Sequence, residues 1–284
     1  MIPGDLIFLK PDSPAEAVEA FVRAEAEGYE PLYYAGGTEI LTMAREGKIR
    51  PGVLIDLKSI PECRELGSDR DHLVIGAALS LNEVIEAELF PLLGATAGRV
   101  ADHTVRNRLS LGGNAAGRLP YRETVLPLLA AKAEVEIYGP MGQRREPIER
   151  VFSRRLELAR GELLVRVRVP AEAARSVWYH GRRERGTRVD YPLVTVCLLE
   201  LRGELRGALS GACAYPVGPA EMDGLLEERS GDPGRQAAGI VEYLAPRIKS
   251  DFRASAEYRS FLLQSLLAEG LGGMNGRRNI GGAR

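Results

Sequence analysis

Residues 35–39 read Ala-Gly-Gly-Thr-Glu, directly after the apolar run of residues 31–35 and directly before the amphipathic pattern TEILTMAREG at 38–47. Two glycines between a strand and the first turn of a helix strip the backbone of side chains where something must approach it closely, and they permit positive φ. Successive N–H groups in such a turn form an anion-binding hollow, and the helix N-terminus adds a favourable dipole. Thr38 is the expected N-cap of the helix and Gly47 its stop. A second pair, Gly112 and Gly113, sits in LSLGGNAAG (109–117), which reads as an apolar strand cut by glycines. Two such loops can share one pyrophosphate, although either taken alone also reads as a plain turn. Neither is G-x-G-x-x-G or G-x-x-x-x-G-K-[ST], so a Rossmann site and a P-loop are not indicated.

The surrounding pattern is α, β, α, β. Residues 13–28 read as a helix capped by Ser13, with Pro14 in its first turn and Gly28 as its stop. PLYYA and GVLIDL (52–57) read as strands. A second block begins near Ile60, with a strand at 72–80, an S-x-x-E capping box at 80–83 opening a helix through Glu88, and a helix and connection at 92–107. ELLVRVRVP (162–170) alternates apolar and basic residues, as a half-exposed strand stopped by Pro170 does. WYHGRRERGTRVDYP (178–192) reads as basic and irregular, and 193–216 as two strands around a Gly203-centred turn. Helical segments follow near 219–229, 235–249 and 255–269, then a Gly/Arg-rich tail read as mobile or docked on a partner. These shifts place domains at 1–173, with subdomains of about 1–58 and 59–173, and at 174–284.

With 38 basic and 39 acidic residues, the chain lacks the charge surplus of a protein that coats nucleic acid. No apolar run approaches the ~20 residues of a membrane span, and the N-terminus carries no secretory pattern. Three scattered cysteines, Cys63, Cys197 and Cys213, suggest a reducing compartment, the cytoplasm, and read as buried thiols. They fall short of the four ligands an iron–sulfur cluster takes, and no zinc spacing or Ser/His/Asp set appears, so no metal site and no catalytic side chain is assigned. His72 and His103 are isolated, and Trp178 beside Tyr179 reads as core.

Taken together, YYAGGTEILTMAREG…LIDL and VRNRLSLGGNAAGRLPYRETVLPLLAAKAEV resemble the two flavin-binding segments of the FAD-binding (medium) subunit of molybdenum hydroxylases, the xanthine dehydrogenase and carbon monoxide dehydrogenase family. ELLVRVRVP, VDYPLVTVCLLEL and DFRASAEYRSFLLQSLL (251–267) are similar to later family motifs in the same order. The resemblance implies an α+β chain: a two-subdomain FAD-binding fold of the vanillyl-alcohol-oxidase/PCMH type, then a smaller C-terminal domain of antiparallel sheet and helices. It implies FAD held by Tyr34, Ala35, Gly36, Gly37, Thr38, Glu39 and Ile40 at the pyrophosphate. Ser110, Gly113, Asn114 and Ala116 would lie toward the flavin, with Glu123 toward the ribose or adenine, and Leu163 in the site.

Gly117 stands where that family has Ser or Thr, which removes a hydroxyl contact. A lysine near the flavin has no clear match; His180, Arg183 and Arg185 are its candidates. The resemblance further implies a large molybdopterin-binding subunit, a small subunit with two [2Fe–2S] clusters, and NAD or another acceptor for the electrons. A self-contained flavin oxidoreductase and a scaffold that has lost FAD are the alternatives.

Overall fold

The computed structural model describes residues 5–186, 190–227, 231–276 and 280–281. The first unit is a three-stranded parallel sheet with two helices: β1 (Ile7–Leu9), α1 (Pro14–Ala26), β2 (Pro31–Tyr34), α2 (Thr38–Arg45) and β3 (Val53–Asp56), with strand order β1-β3-β2. Ser13 caps α1 by accepting the Glu16 N–H at 3.2 Å, and Ala17, Val18, Phe21 and Ala24 bury one face of the helix. The four residues of β3 are buried, so its apolar run is that of a central parallel strand.

The second unit comprises β4 (Leu66–Ser68), β5 (His72–Gly76), α3 (Leu81–Glu86), α4 (Pro91–Ala97), α5 (His103–Arg106), α6 (Leu111–Ala116), α7 (Val125–Ala130), β6 (Glu134–Gly139), β7 (Gly142–Pro147), α8 (Ile148–Val151) and β8 (Leu163–Pro170). Its five strands form an antiparallel sheet in the order β4-β5-β8-β6-β7. The capping box at Ser80 forms in full, though α3 ends at Glu86, short of Glu88. Residues 109–117 are not a strand. Ser110 accepts the Gly113 N–H at 3.1 Å and caps α6, so both glycines of the second pair lie inside a helical turn. A local hydrogen bond accepted by a serine has overridden the apolar pattern.

The third unit comprises β9 (Trp178–Glu184), β10 (Pro192–Leu201), β11 (Glu204–Ser210), α9 (Pro219–Leu226), α10 (Pro233–Leu244), α11 (Ala256–Asn275) and β12 (Ile280–Gly281), with sheet order β11-β10-β9-β12. Arg202 and Gly203 both have positive φ, 53° and 81°, and close the expected hairpin in the primed geometry that matches strand twist. The segment read as irregular begins with strand β9, which pairs antiparallel with β10 over Trp178–Glu184. Residues 187–189 of it lie outside the described residues. The first part of the presumed tail is helix, since α11 runs to Asn275; residues 277–279 and 282–284 lie outside the described residues.

β10 is buried on both faces. Cys197, Leu199 and Leu201 join the core of the second unit beside Leu126 and Leu129, while Val194, Val196 and Leu198 pack under α9–α11. The C-terminal sheet therefore shares a core with the unit before it, and the walls between them are fixed. No helix among the described residues is long and apolar enough to cross a membrane.

Candidate functional site

Where β2 ends, Gly36 and Gly37 turn the chain into α2. Gly37, with φ of +69°, is the N-cap, and Thr38 is the first helical residue rather than the cap. A glycine cap carries no side-chain acceptor, and the first backbone bond of the helix runs from Leu41 N–H to the Gly37 carbonyl at 2.8 Å. The N–H groups of Gly36, Gly37, Thr38, Glu39 and Ile40 hence bond to no other described residue. This is an open set of donors at the positive end of a helix.

The glycines are needed for space. A methyl group on Gly36 would land 1.5 Å from the carbonyl oxygen of Arg108, and one on Gly37 would land 2.1 Å from the Tyr34 ring. Only Gly37 of the four glycines has positive φ; Gly36, Gly112 and Gly113 do not.

The second loop does not repeat the first. Leu111 N–H donates to Leu79 O at 2.9 Å, Gly112 N–H to Ala77 O at 2.8 Å, and Asn114 N–H to Ser110 O at 2.9 Å. With Gly113 N–H on the Ser110 side chain, no amide of LGGN remains for an anion. Gly112 is glycine because a methyl there would press Ala77 at 2.8 Å. What the second loop offers is side chain. Asn114 Oδ1 accepts from Thr124 N–H and Oγ1, at 3.2 and 2.7 Å, which turns its NH2 group away from these bonds.

Both loops open onto one cavity of about 990 Å³ that runs between all three units. That is the upper end of the range for ligand sites, roughly 300–1,000 Å³, and suits a dinucleotide-sized molecule. Ala35, Gly36, Gly37, Thr38, Glu39 and Ile40 line it from the first unit. Ser110, Gly113, Asn114, Ala116, Glu123 and Leu163 line it from the second. Tyr34 does not: its ring packs against Gly37 and under the Lys58 ammonium, 4.6 Å away, while the neighbouring Tyr33 lines the wall. Lys58 also donates to the Ala35 carbonyl at 3.0 Å and so pins the cradle from the turn that follows β3.

Glu39 has an unexpected task. Its carboxylate accepts the N–H groups of Arg118, at 2.9 Å, and Leu119, at 3.0 Å, and so clasps α2 to the chain beyond α6. A methyl on Gly117 would sit 2.8 Å from the Gly113 carbonyl oxygen and 3.0 Å from that carboxylate, so the glycine leaves room for both the α6 turn and the clasp.

Glu123 is buried, and its Oε1 accepts from Arg182 Nε at 2.9 Å and from Thr195 Oγ1 at 2.7 Å. The carboxylate stands in the cavity wall but is taken up by the C-terminal unit. Burial opposes the Arg182 charge; Glu123 and Glu184 outweigh it and raise the guanidinium pKa. Of residues 178–186, Arg182 lines the cavity, and His180, Arg183 and Arg185 do not. Sequence reasoning missed Arg182 because its segment was not recognised as a strand. Once β9 is in register with β10, Arg182 stands opposite Thr195, and both reach Glu123. The stacked pair Tyr121–Tyr191, with centroids 4.7 Å apart, closes the same end.

His180 is buried with no partner for Nε2, and its pKa is pushed down to about 4 by burial and by Arg182 and Arg99. It is neutral at pH 7. Since the folded value lies below the unfolded one, the stability this contributes is present above pH ~6.5 and is lost as the pH falls toward 4. The loss is on the order of 2–3 kcal/mol. Urea unfolding across that window should show His180→Asn losing less stability than the wild type; parallel profiles would contradict this assignment.

The FAD binding domain in molybdopterin dehydrogenase, as a family model, matches residues 5–172. The carbon monoxide dehydrogenase medium chain of Hydrogenophaga pseudoflava is 32% identical over 193 residues, 66% of this chain and 66% of that one. The xanthine dehydrogenase FAD-binding subunit of Escherichia coli O157:H7 is 26% identical over 249 residues, 82% of this chain and 84% of that one. The solved carbon monoxide dehydrogenase from H. pseudoflava that lacks the Mo-pyranopterin moiety superposes with a TM-score of 0.86 at 25% identity, over 98% of this chain and 100% of that one. The cradle of free amides, the glycines that keep it open and the long cavity all fit FAD, and the chain belongs to the family of FAD-binding domains of molybdopterin dehydrogenases, which are oxidoreductase subunits.

Proposed function

We propose that this chain is the electron-transfer flavoprotein subunit of a multi-subunit molybdenum hydroxylase. It takes electrons from the [2Fe–2S] clusters of a small partner subunit, downstream of a large molybdopterin subunit, and hands them to NAD or another acceptor. The FAD-binding part spans about 1–173 and the C-terminal part 174–284. The observation that carries the reading is the run of unbonded amides from Gly36 to Ile40 at the head of a cavity long enough for a dinucleotide.

When bound, FAD supplies the electron uptake and release. The chain's own residues bind and orient. The amides of Gly36–Ile40 would hold the pyrophosphate. Ser110, Asn114 and Ala116 line the wall beyond it, and Leu163 contributes apolar surface. Tyr121, Tyr191 and Arg182 close the end shared with the C-terminal unit. The Glu123–Arg182 pair holds that end in place.

The purified chain should retain flavin absorbance after FAD is added and excess removed, and denaturation should release FAD rather than FMN. If it is colourless alone, the same spectrum is taken on the complex co-purified with its partners. Colourless protein in both forms would sink the reading. A flavin spectrum that does not change when the complex is given the hydroxylase substrate would leave the chain as a binding subunit outside the electron path.

A further inference from the structure

Every carboxylate in the cavity wall already has its partner. Glu46 holds Lys48 at 2.7 Å, Glu162 holds Arg144 at 2.9 Å, Asp190 holds Arg253 at 2.7 Å and Glu123 holds Arg182 at 2.9 Å. Glu39 is taken by backbone N–H groups. The same wall carries Arg108, Arg118 and Arg122, and none of the three has a carboxylate partner among the described residues. The wall is left with an excess of positive charge at one place.

Arg122 is the most telling of them. It is only 7% exposed, and its backbone is held at a φ of +38°, unusual for a residue with a side chain. Its Nε donates to the Gly117 carbonyl at 2.9 Å and its Nη1 to the Arg154 carbonyl at 3.3 Å. Neutral carbonyls orient a guanidinium without cancelling its charge. Burial lowers the Arg122 pKa, more than the charge of Glu39 restores it. A buried cation on strained backbone is expensive unless an anion arrives to meet it. Arg108 and Arg118 are exposed, and their guanidinium groups bond to nothing described.

Two of the three branch from backbone that touches the cradle, and the third reaches the chain beside it with its side chain. The Arg108 carbonyl abuts Gly36, Arg118 N–H is bonded to Glu39, and Arg122 is bonded to Gly117, which itself abuts Glu39. We infer that Arg108, Arg118 and Arg122 form a diphosphate clamp that closes on the group seated at the Gly36–Ile40 amides. The inference rests on the FAD reading above, in which that group is the FAD pyrophosphate. Amides alone hold a phosphate by dipoles. Guanidinium groups add full charge and a planar two-point match to phosphate oxygens.

The test is FAD and riboflavin affinity, read by flavin fluorescence at several salt concentrations, on the full chain. Riboflavin lacks the pyrophosphate and serves as the internal control. The double variant Arg108→Gln/Arg118→Gln removes two side chains without protein partners, so its fold is not at stake. It is expected to weaken FAD about ten- to a hundredfold, to flatten the salt dependence, and to leave riboflavin unchanged. Arg122→Gln should do the same. Wild-type FAD affinity and salt dependence in the double variant would overturn the clamp, whether or not Arg122→Gln folds. If the folded wild type binds no FAD at all, the FAD reading fails instead. Calorimetry with inorganic pyrophosphate then decides the clamp: binding to the wild type that the double variant loses supports it, and no binding overturns it.

Discussion

Gly36→Ala is expected to abolish FAD retention and to lower stability by about 3 kcal/mol or more. The new methyl would lie 1.5 Å from the Arg108 carbonyl oxygen and 2.7 Å from its carbon. The obstacle is backbone, not the end of a flexible side chain, so relief requires the two loops to part. Overpacking of this kind ordinarily costs about 1–3 kcal/mol, and fixed backbone puts it at or above the top of that range. Parting the loops also tilts the amides of residues 36–40 away from the wall that carries Ser110 and Asn114. FAD affinity should fall at least about a hundredfold. Gly67→Ala is the matched control. Gly67 lies in the edge strand β4, has no neighbour within 4 Å of a new methyl, and does not have positive φ. Equilibrium dialysis with FAD and thermal unfolding should separate the two variants sharply. Near-wild-type FAD binding in Gly36→Ala would mean that the loops are not in register with each other when FAD is held.

The second large effect is expected at Arg259, which is fully buried. Its Nη1 donates to the carbonyls of Leu193, at 2.9 Å, and Gly211, at 2.8 Å, and its Nη2 to Asp251 at 2.7 Å. Arg259→Met keeps much of the volume and strands two buried carbonyls, each worth about 1–3 kcal/mol when left unpaired. A loss of about 3–5 kcal/mol in urea unfolding is expected. The variant should also lose FAD affinity, because the same motif reaches the cavity. Asp251 accepts the Arg253 N–H at 2.9 Å, and Arg253 in turn donates to the Tyr191 carbonyl at 2.8 Å and pairs with Asp190 at 2.7 Å. Asp190 and Tyr191 line the cavity. A loss below about 1 kcal/mol would show that water reaches the Leu193 and Gly211 carbonyls when the arginine is gone.

Much of this architecture can be read from local chemistry. The Ser13 cap, the Ser80 capping box and the Arg202–Gly203 hairpin are each decided within four residues, and each appears as expected. So does the free cradle, because a Gly-Gly pair before an amphipathic run offers the backbone little else to do. What the residues did not reveal is decided by partners far away in the chain. β7 reads Gly-Gln-Arg-Arg-Glu-Pro, too polar for a strand, and forms one because Arg144 finds Glu162, just before β8, and Arg145 finds Glu136 on the neighbouring β6. β9 carries a similar load of arginine and is organised by Glu123, 59 residues earlier. Glu123 and Glu39 were expected to reach FAD. Both are used to join parts of the chain, a choice that a single motif does not disclose. Tyr34 and Tyr33 could not be told apart by alternation, since β2 is only four residues long and its last three are all half-buried.

The two carboxylates also divide the cavity into a fixed side and a yielding one. Glu123 and Arg182, 5% and 3% exposed, form a buried pair, and pulling them apart would strand a charge at a cost of about 3–5 kcal/mol. Glu39 holds Arg118 and Leu119 by exposed amide hydrogen bonds, each worth about 0.5–1.5 kcal/mol and open to exchange with water. Of the two joints, the Glu39 clasp is therefore the one that gives first when the first unit and the chain beyond α6 are pulled apart.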